Sequence, residues 1–174
     1  DASGFGANSW LVEEMYEPGS VFKVITAAAL VDSGTVTPDT PFTVPGSLQR
    51  GGHVINDHTA HGTLGLTFAG VIAESSNIGT ILAAERMDKA VLRDYYSMLG
   101  IGKPLNLGLP GETAGLLPTD WEDLTRDTIA FGQGVSANIV QMASAYATIA
   151  NGGVRVPPRL VSEIVAPDGT STVP

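Results

Sequence analysis

The sequence predicts one globular domain in which helices are connected by extended segments and loops. Its 174 residues are close to one ordinary domain, and 43% of them are hydrophobic, which is enough to form a buried core. Apolar residues recur at helical spacing in several stretches, whereas residues 35–65 are rich in Pro, Gly, Thr and His and show no helical period. No internal repeat or low-complexity tract divides the chain, so residues 1–174 are interpreted as a single unit.

The first strongly predicted helix follows Glu17-Pro18-Gly19, with Ser20 as its N-cap or a first-turn residue, and ends at Gly34. This helix is apolar on nearly every side. A helix that faced water would show a polar stripe, so we expect this one in the middle of the domain.

Later helices are indicated by apolar spacing and by capping residues at their ends. Asp88 and Asn138 are the predicted N-caps of two of them, and Gly152-Gly153 ends the last. A short connection is predicted at residues 75–77, and residues 105–118 are predicted to be mostly loop because they are rich in Gly and Pro. The predicted helices cover residues 67–73, 78–87, 89–99 and 139–150.

The end of the chain is predicted to form part of a hairpin. Residues 159–166 have the pattern of a strand, and Pro167-Asp168-Gly169 is typical of a turn. Only residues 171–173 are left to form the partner strand, and an unpaired strand would leave backbone donors and acceptors unsatisfied. We therefore expect more chain after Pro174.

Composition excludes several classes of protein. Eighteen acidic residues against nine basic ones give a formal net charge of −9, and no basic cluster is present that would hold nucleic acid. The longest apolar run, residues 24–31, is far shorter than the roughly 20 residues that a membrane-spanning helix needs. Because the chain has no Cys, disulfides, thiolate metal ligands and a thiol nucleophile are excluded.

Lys23 is the most unusual residue of the first helix. It lies one turn from the helix start, where the partial positive charge of the helix end disfavours a cation, and burial would disfavour it further. Both effects lower the pKa of a lysine, so this position suits an amine that acts as a base. Ser20 lies three residues earlier on the same helical face, and its backbone N–H could serve as one donor of an oxyanion hole. Alternatively, Ser20 is only an N-cap and the Lys23 side chain extends to water.

The residues around this pair resemble the penicillin-binding proteins. Glu17-Pro18-Gly19-Ser20-Val21-Phe22-Lys23 is similar to the nucleophile motif of that family, and Ser75-Ser76-Asn77 is similar to its second, Ser-x-Asn motif. Within the family the chain resembles the class B branch, whose members lack a glycosyltransferase domain, and in particular its septal, cell-division members. The stretches that carry this second resemblance are residues 57–64, 109–112, 131–134 and 141–147.

The third motif of the family, Lys-Thr/Ser-Gly, is absent from the chain. Lys23, Lys89 and Lys103 are followed by Val, Ala and Pro instead. In the family this motif lies on a strand after the helix end that Asn151-Gly152-Gly153 matches, and the chain stops before that strand. We therefore expect residues 1–174 to be a single partial transpeptidase domain, truncated before the third-motif strand and poorly stable and inactive as an isolated fragment.

The resemblance implies an α+β fold of the penicillin-binding and β-lactamase-like type, with an antiparallel sheet flanked by helices, of which this chain supplies mostly the helical part. It also implies a serine acyltransferase that cross-links peptidoglycan stem peptides, a D,D-transpeptidase, which β-lactams acylate. Ser20 would be the nucleophile and Lys23 the base. Ser75 would relay a proton to the departing amine, and Asn77 would hold the substrate amide and help to orient Lys23. No cofactor or metal is implied.

The partners that the resemblance implies are stem peptides, β-lactam antibiotics and membrane-embedded cell-wall synthesis and division proteins. The implied location is the extracytoplasmic face of the bacterial cell membrane, with an N-terminal anchor outside this chain. Three alternatives remain open at this point. The absent third motif would fit a non-catalytic division scaffold or a β-lactam sensor of the same fold, and a D,D-carboxypeptidase would differ only in using water as the acceptor.

Two other groups of residues have competing interpretations. Ser136-Ala137-Asn138 is a second Ser-x-Asn sequence, but it lies where a helix needs a cap, so we expect a capping role. His53, His58 and His61 could suggest a metal site with Asp57 nearby. Since no carboxylate cluster accompanies them and no helix fixes their spacing, we expect them to form hydrogen bonds within a loop.

Overall fold

The computed structural model describes residues 9–173 of the chain. Seven α-helices and six short strands account for its regular structure, and the strands form three separate two-stranded antiparallel ladders. The helices are α1 (Trp10–Glu13), α2 (Lys23–Asp32), α3 (Phe68–Ala73), α4 (Asn77–Ala84), α5 (Lys89–Met98), α6 (Asp123–Ala130) and α7 (Ile139–Ala150). The strands are β1 (Pro41–Val44), β2 (Leu48–Arg50), β3 (His53–Ile55), β4 (Leu64–Thr67), β5 (Ile164–Val165) and β6 (Ser171–Thr172).

Helix α2 forms the centre of the core, as its apolar sequence predicts. A single 3₁₀ turn, Gly19–Phe22, leads into it, so Ser20 is a first-turn residue and not the N-cap. The side chains of Ile25, Ala29 and Leu30 are fully buried between α4, α5 and α7. Full burial of a side chain the size of Ile25 or Leu30 contributes about 1.5–3 kcal/mol. The helix ends before Gly34, which adopts a positive φ of 71° that favours glycine.

A buried hydroxyl chain connects α2 to two of its neighbours. The Tyr96 hydroxyl on α5 lies 2.8 Å from Thr26 Oγ1, and Thr26 Oγ1 donates to the carbonyl of Ala130 at the end of α6, also at 2.8 Å. The Tyr96 ring meets the ring of Phe22 edge to face at 4.9 Å. Both buried hydroxyls have a hydrogen-bond partner, so their burial leaves no donor unsatisfied. The two bonds also hold the three helices in one arrangement.

The segment predicted to be extended forms two ladders that cover the core from one side. Strands β1 and β4 pair with Phe42 opposite Leu66, and Val44 of β1 is fully buried. Strands β2 and β3 form a tight hairpin through Gly51 and Gly52, which both have positive φ values. A two-residue hairpin turn with positive φ at both positions matches the twist of its strands, and glycine adopts it without strain.

Helices α3 and α4 are separated by a sharp turn at residues 74–76. Thr67 caps α3, and Ser76 caps α4 by accepting a hydrogen bond from the Gly79 N–H at 2.8 Å. A Cβ placed on Gly79 would lie 2.7 Å from both Cγ atoms of Val71. The absence of a side chain at Gly79 therefore allows α3 and α4 to pack closely on either side of the turn.

Helix α7 begins and ends where the sequence predicts. Asn138 accepts from the backbone N–H of Gln141 at 2.9 Å, and the Gln141 side chain accepts in return from the N–H of Asn138, which forms a capping box. The capping interpretation of the second Ser-x-Asn sequence is confirmed. Gln141 Nε2 also donates to the carbonyls of Lys103 and Ala114, so the helix holds the predicted loop of residues 105–118 in place.

The end of the chain forms the predicted hairpin, but with shorter strands. Only Ile164 and Val165 of the predicted strand at residues 159–166 pair, and their partners are Thr172 and Ser171. Residues 159–163 were predicted to belong to the strand, but no backbone within the described residues pairs with them. Across residues 9–173, none of the helices has the length and apolar character that a bilayer crossing requires.

Candidate active site

Ser20 and Lys23 lie at the start of the central helix but in different environments. Ser20 is exposed in the 3₁₀ turn, whereas only 2% of the Lys23 surface is accessible. The Lys23 ammonium nitrogen Nζ donates to the carbonyl and to the hydroxyl of Ser75, and Nζ lies 3.1 Å from Ser75 Oγ. Within residues 9–173 these are the hydrogen bonds of Nζ, so the amine one turn after Ser20 contacts Ser75 rather than Ser20 Oγ.

Burial changes the protonation of Lys23. Loss of hydration lowers the pKa of this lysine from 10.5 to about 8, and the negative charge of Asp57 opposes part of the effect. With a pKa of about 8, about a tenth of the molecules carry a neutral Lys23 at pH 7, against about 0.03% for a pKa of 10.5. The sequence-based expectation of a depressed lysine pKa agrees with this direction, and the main cause is burial.

The turn between α3 and α4 brings Ser75 to Lys23. Ser75 has a φ of 53°, in the left-handed region that residues other than glycine adopt only when the surrounding structure holds them there. Asn77, the first residue of α4, donates from Nδ2 to the carbonyl of Asn56 at 3.0 Å. Among the described residues, Lys23 forms its hydrogen bonds with the carbonyl and hydroxyl of Ser75, and none joins it to Asn77, so the expected help of Asn77 in orienting Lys23 stays a prediction.

Ser20 and Asn77 line two adjacent depressions on the surface. The first, of about 600 Å³, lies between the β2–β3 hairpin and the loop after α6. The second, of about 470 Å³, is lined by Ser75 and by the loop from Asn56 to His61. Both volumes are in the range of small-molecule sites. The four predicted site residues Ser20, Lys23, Ser75 and Asn77 therefore form one group, in which Lys23 is the buried member.

The loop that follows α6 fixes the 3₁₀ turn that carries Ser20. The N–H of Gly19 donates to the carbonyl of Gly132 at 2.9 Å, and the N–H of Gly134 donates to the Glu17 carboxylate at 2.8 Å. Gly132 has a φ of 87°, and a Cβ there would lie 2.1 Å from the carbonyl oxygen of Gly19. Glycine is required at residue 132 because the two backbones meet without space for a side chain.

Asp57 lines the second depression, although no role at this site was expected for it. Its Oδ1 accepts from the N–H of Ile78 at 3.0 Å, and its Oδ2 accepts from Ser76 Oγ at 2.6 Å and from His61 Nε2 at 2.9 Å. Burial acts to raise the pKa of this carboxyl, but the hydrogen bonds, with that of Ser76 first, lower it below its usual range. Two sequence signals pointed to Asp57: its position inside one of the stretches that resemble class B proteins, and its proximity to the three histidines.

The predicted hydrogen-bonding role of the histidines holds for His61, which contacts Asp57 and the carbonyl of Gly62. His53 and His58 line different depressions and are exposed. Within residues 9–173, no group of three or more His, Asp or Glu side chains has the arrangement of a metal site.

Comparison with known proteins gives consistent matches. The penicillin binding protein transpeptidase domain family matches residues 4–174. The penicillin-binding protein PbpB of Mycolicibacterium smegmatis is 43% identical over 163 residues, which are 92% of this chain and 25% of that protein. The peptidoglycan D,D-transpeptidase FtsI of Escherichia coli is 37% identical over 149 residues, which are 84% of this chain and 25% of that protein. The chain thus spans about a quarter of the length of these curated relatives.

Solved structures with a similar sequence identity have the same fold. The crystal structure of penicillin binding protein 3 from Mycobacterium tuberculosis, complexed with aztreonam, matches with a TM-score of 0.89 and 40% identity. The match covers 96% of this chain and 38% of that one. A peptidoglycan synthetase from Bifidobacterium adolescentis matches with a TM-score of 0.88 and 36% identity, over 95% of this chain and 31% of that one. The predicted α+β transpeptidase fold, with this chain as mostly its helical part, is confirmed.

Proposed function

The chain belongs to the penicillin-binding protein transpeptidase family, and we propose that it supplies the nucleophile and the base of a serine-type peptidoglycan D,D-transpeptidase. The observation that carries this proposal is the burial of Lys23 one helical turn after the exposed Ser20. A lysine with a pKa of about 8 is neutral in about a tenth of the molecules at pH 7, far more than an ordinary lysine, and so is suited to accept a proton from a serine hydroxyl.

In the proposed acylation step, Ser20 Oγ attacks the carbonyl carbon of the penultimate D-alanine of a stem peptide. Neutral Lys23 accepts the hydroxyl proton as the Oγ–C bond forms, and the backbone N–H of Ser20 stabilises the oxyanion. The bond between that carbonyl and the nitrogen of the terminal D-alanine then breaks. The product is an acyl-enzyme on Ser20 and free D-alanine.

Ser75 is proposed to return the proton to the leaving amine. Its hydroxyl lies 3.1 Å from Lys23 Nζ, so a proton on the lysine can pass to Ser75 Oγ and from there to the departing nitrogen. Asn77 is proposed to hold the substrate amide, because it lines both depressions beside Ser20. Its Nδ2 already donates to the carbonyl of Asn56, which leaves its other amide groups for the substrate.

In the proposed second step the amine of another stem peptide attacks the acyl-enzyme. The new amide bond forms, the Oγ–C bond breaks, and the proton of the attacking amine returns to Ser20, which leaves two stems cross-linked. A β-lactam acylates Ser20 in the same way, but its leaving nitrogen remains tethered to the acyl group. For the whole protein, we propose a location at the extracytoplasmic face of the bacterial membrane, with an anchor outside this chain. Its proposed partners are proteins of cell-wall synthesis and division.

The test uses the full-length protein and a labelled penicillin. Wild type and Ser33→Ala, which changes an exposed serine at the other end of α2, are expected to gain the label on the peptide that contains Ser20. Ser20→Ala is expected to gain none. A covalent adduct that persists in Ser20→Ala would refute the nucleophile assignment.

Turnover of a stem-peptide thioester then separates the proposed activity from its alternatives. Transfer to an added amine is expected for a transpeptidase. Hydrolysis alone would identify a carboxypeptidase, and labelling without turnover would identify a β-lactam sensor. If the folded full-length protein shows no labelling and no turnover, a non-catalytic scaffold would be favoured.

A further inference from the structure

Asp57 occupies a central position beside the site, although the proposed reaction does not use it. Its two oxygens accept hydrogen bonds from the residues on both sides of Asn77: the hydroxyl of Ser76 at 2.6 Å and the N–H of Ile78 at 3.0 Å. The carboxylate thus caps the start of α4 together with Ser76. It lies about 20 residues earlier in the chain, on the loop between β3 and β4, so it connects that loop to the turn that carries Ser75.

The contacts of His61 indicate its charge state. Nε2 lies 2.9 Å from Asp57 Oδ2, and Nδ1 contacts the carbonyl oxygen of Gly62. Both neighbours are acceptors, whereas a neutral imidazole carries only one N–H. Only the imidazolium form satisfies both contacts, and the Asp57 hydrogen bond raises the pKa of His61 in the same direction. His61 is therefore the positive partner of Asp57 in this geometry.

We propose that the Asp57–His61 pair is the positioning element of the acylation site: Asp57 holds the Ser75–Asn77 turn against Lys23, and protonated His61 neutralises the carboxylate that does so. This inference rests on the proposed function, since it concerns the same lysine. Asp57 and His61 do not touch the reacting atoms and act through Ser75 and Lys23.

The charge of the pair also acts on the lysine. Asp57 is the charged group whose attraction favours the ammonium form of Lys23, against the effect of burial. The other titratable groups that line the same depression are His58, on the same loop, and Glu74, which follows α3; both are exposed. Because water screens exposed charges, the Asp57 carboxylate, with 9% of its side chain exposed, acts more strongly on Lys23 than they do. The proton on His61, 2.9 Å from this carboxylate, offsets part of its negative charge.

Two substitutions are expected to move the pKa of Lys23 in opposite directions. Asp57→Asn removes the negative charge, so the pKa of Lys23 falls. His61→Gln keeps a side-chain donor but removes the positive charge, so Asp57 attracts the ammonium more strongly and the pKa of Lys23 rises. Asp57→Asn is also expected to reduce the limiting acylation rate at least about tenfold at every pH, because the Ser75–Asn77 turn loses its fixed position.

The experiment follows Lys23 directly by NMR and measures acylation by a labelled penicillin, in the full-length protein, from below to well above pH 8. Asp39→Asn is the control, because it removes the same charge from an exposed residue of a surface turn. It is expected to match wild type in both readouts. If Asp57→Asn does not fold, the upward shift in His61→Gln decides the question.

Opposite shifts of the Lys23 titration in the two variants would support the proposal, as a merely structural role of the pair would change the rate but not the pH profile. A Lys23 titration that stays at the wild-type value in both variants, or that moves in the same direction in both, would overturn it. If wild type is not acylated at all, the proposed function fails, and the NMR titrations still decide whether the pair acts on Lys23.

Discussion

Substitution of Gly132 by Ala tests whether the loop after α6 fixes the nucleophile. The Cβ of an alanine would lie 2.1 Å from the carbonyl oxygen of Gly19, whereas real Cβ atoms approach other atoms to no less than 3.0 Å. The loop and the turn that carries Ser20 must therefore separate by about 1 Å. A displacement of that size at a catalytic group can lower a rate about 100-fold. We expect the second-order rate of acylation by penicillin to fall by about that factor.

Gly152→Ala provides the control for backbone strain. Gly152 also has a positive φ, of 67°, but no atom lies within 4 Å of its Cβ position and it lies beyond α7, away from the site. Both substitutions force alanine into the left-handed region, which should reduce the free energy of unfolding by about 1–2 kcal/mol. The backbone contact at Gly132 should add a further loss in Gly132→Ala that Gly152→Ala does not show. The acylation rate should fall only in Gly132→Ala. Equal acylation rates in the two variants, measured on folded protein, would refute the reasoning.

Two further predictions concern the elements that carry the site. Gly79→Ala places a Cβ 2.7 Å from the Val71 side chain, so we expect the free energy of unfolding in denaturant to fall by about 1–3 kcal/mol. Acylation should also slow, because α4 must move. Gly65→Ala is the control, since no atom lies within 4 Å of its Cβ position, and its free energy of unfolding should fall far less. Equal losses of unfolding free energy in the two variants would show that Gly79 is not needed for the close packing of α3 on α4. Asn138→Ala removes the capping box of α7 and should lower the free energy of unfolding by about 1–2 kcal/mol. In a separate measurement, Ser136→Ala should acylate at the wild-type rate, because this second Ser-x-Asn sequence only caps a helix. A large loss of acylation in Ser136→Ala would restore a catalytic interpretation of the second Ser-x-Asn sequence.

Helix positions were predictable where the signals are local. Asn138 and Gly152-Gly153 bracket α7 within a few residues of its ends, and Asp88 caps α5 as expected, accepting from two backbone N–H groups. The apolar helix around Lys23 left two positions open for its side chain, burial or extension to water, and the structure has it buried. At the helix ends, the residues that determine the structure are close neighbours in the sequence.

Contacts between distant segments were not predictable from the sequence. The Asp57 carboxylate reaches Ile78 across 21 residues, and Gly132 meets Gly19 across more than 100. Both contacts depend on how separate elements pack, which hydrophobic spacing does not specify. The positive φ of Ser75 is of the same kind, because it occurs in the turn between α3 and α4 and is a conformation that serine does not prefer.

The pH titration of Lys23 tests the central claim most directly. In folded, full-length protein that penicillin acylates, the NMR signal of this side chain should titrate near pH 8, and the acylation rate should rise with pH and level off above the same value, because loss of the proton creates the base. A lysine that remains protonated up to about pH 10.5 in that acylation-competent protein would contradict the account.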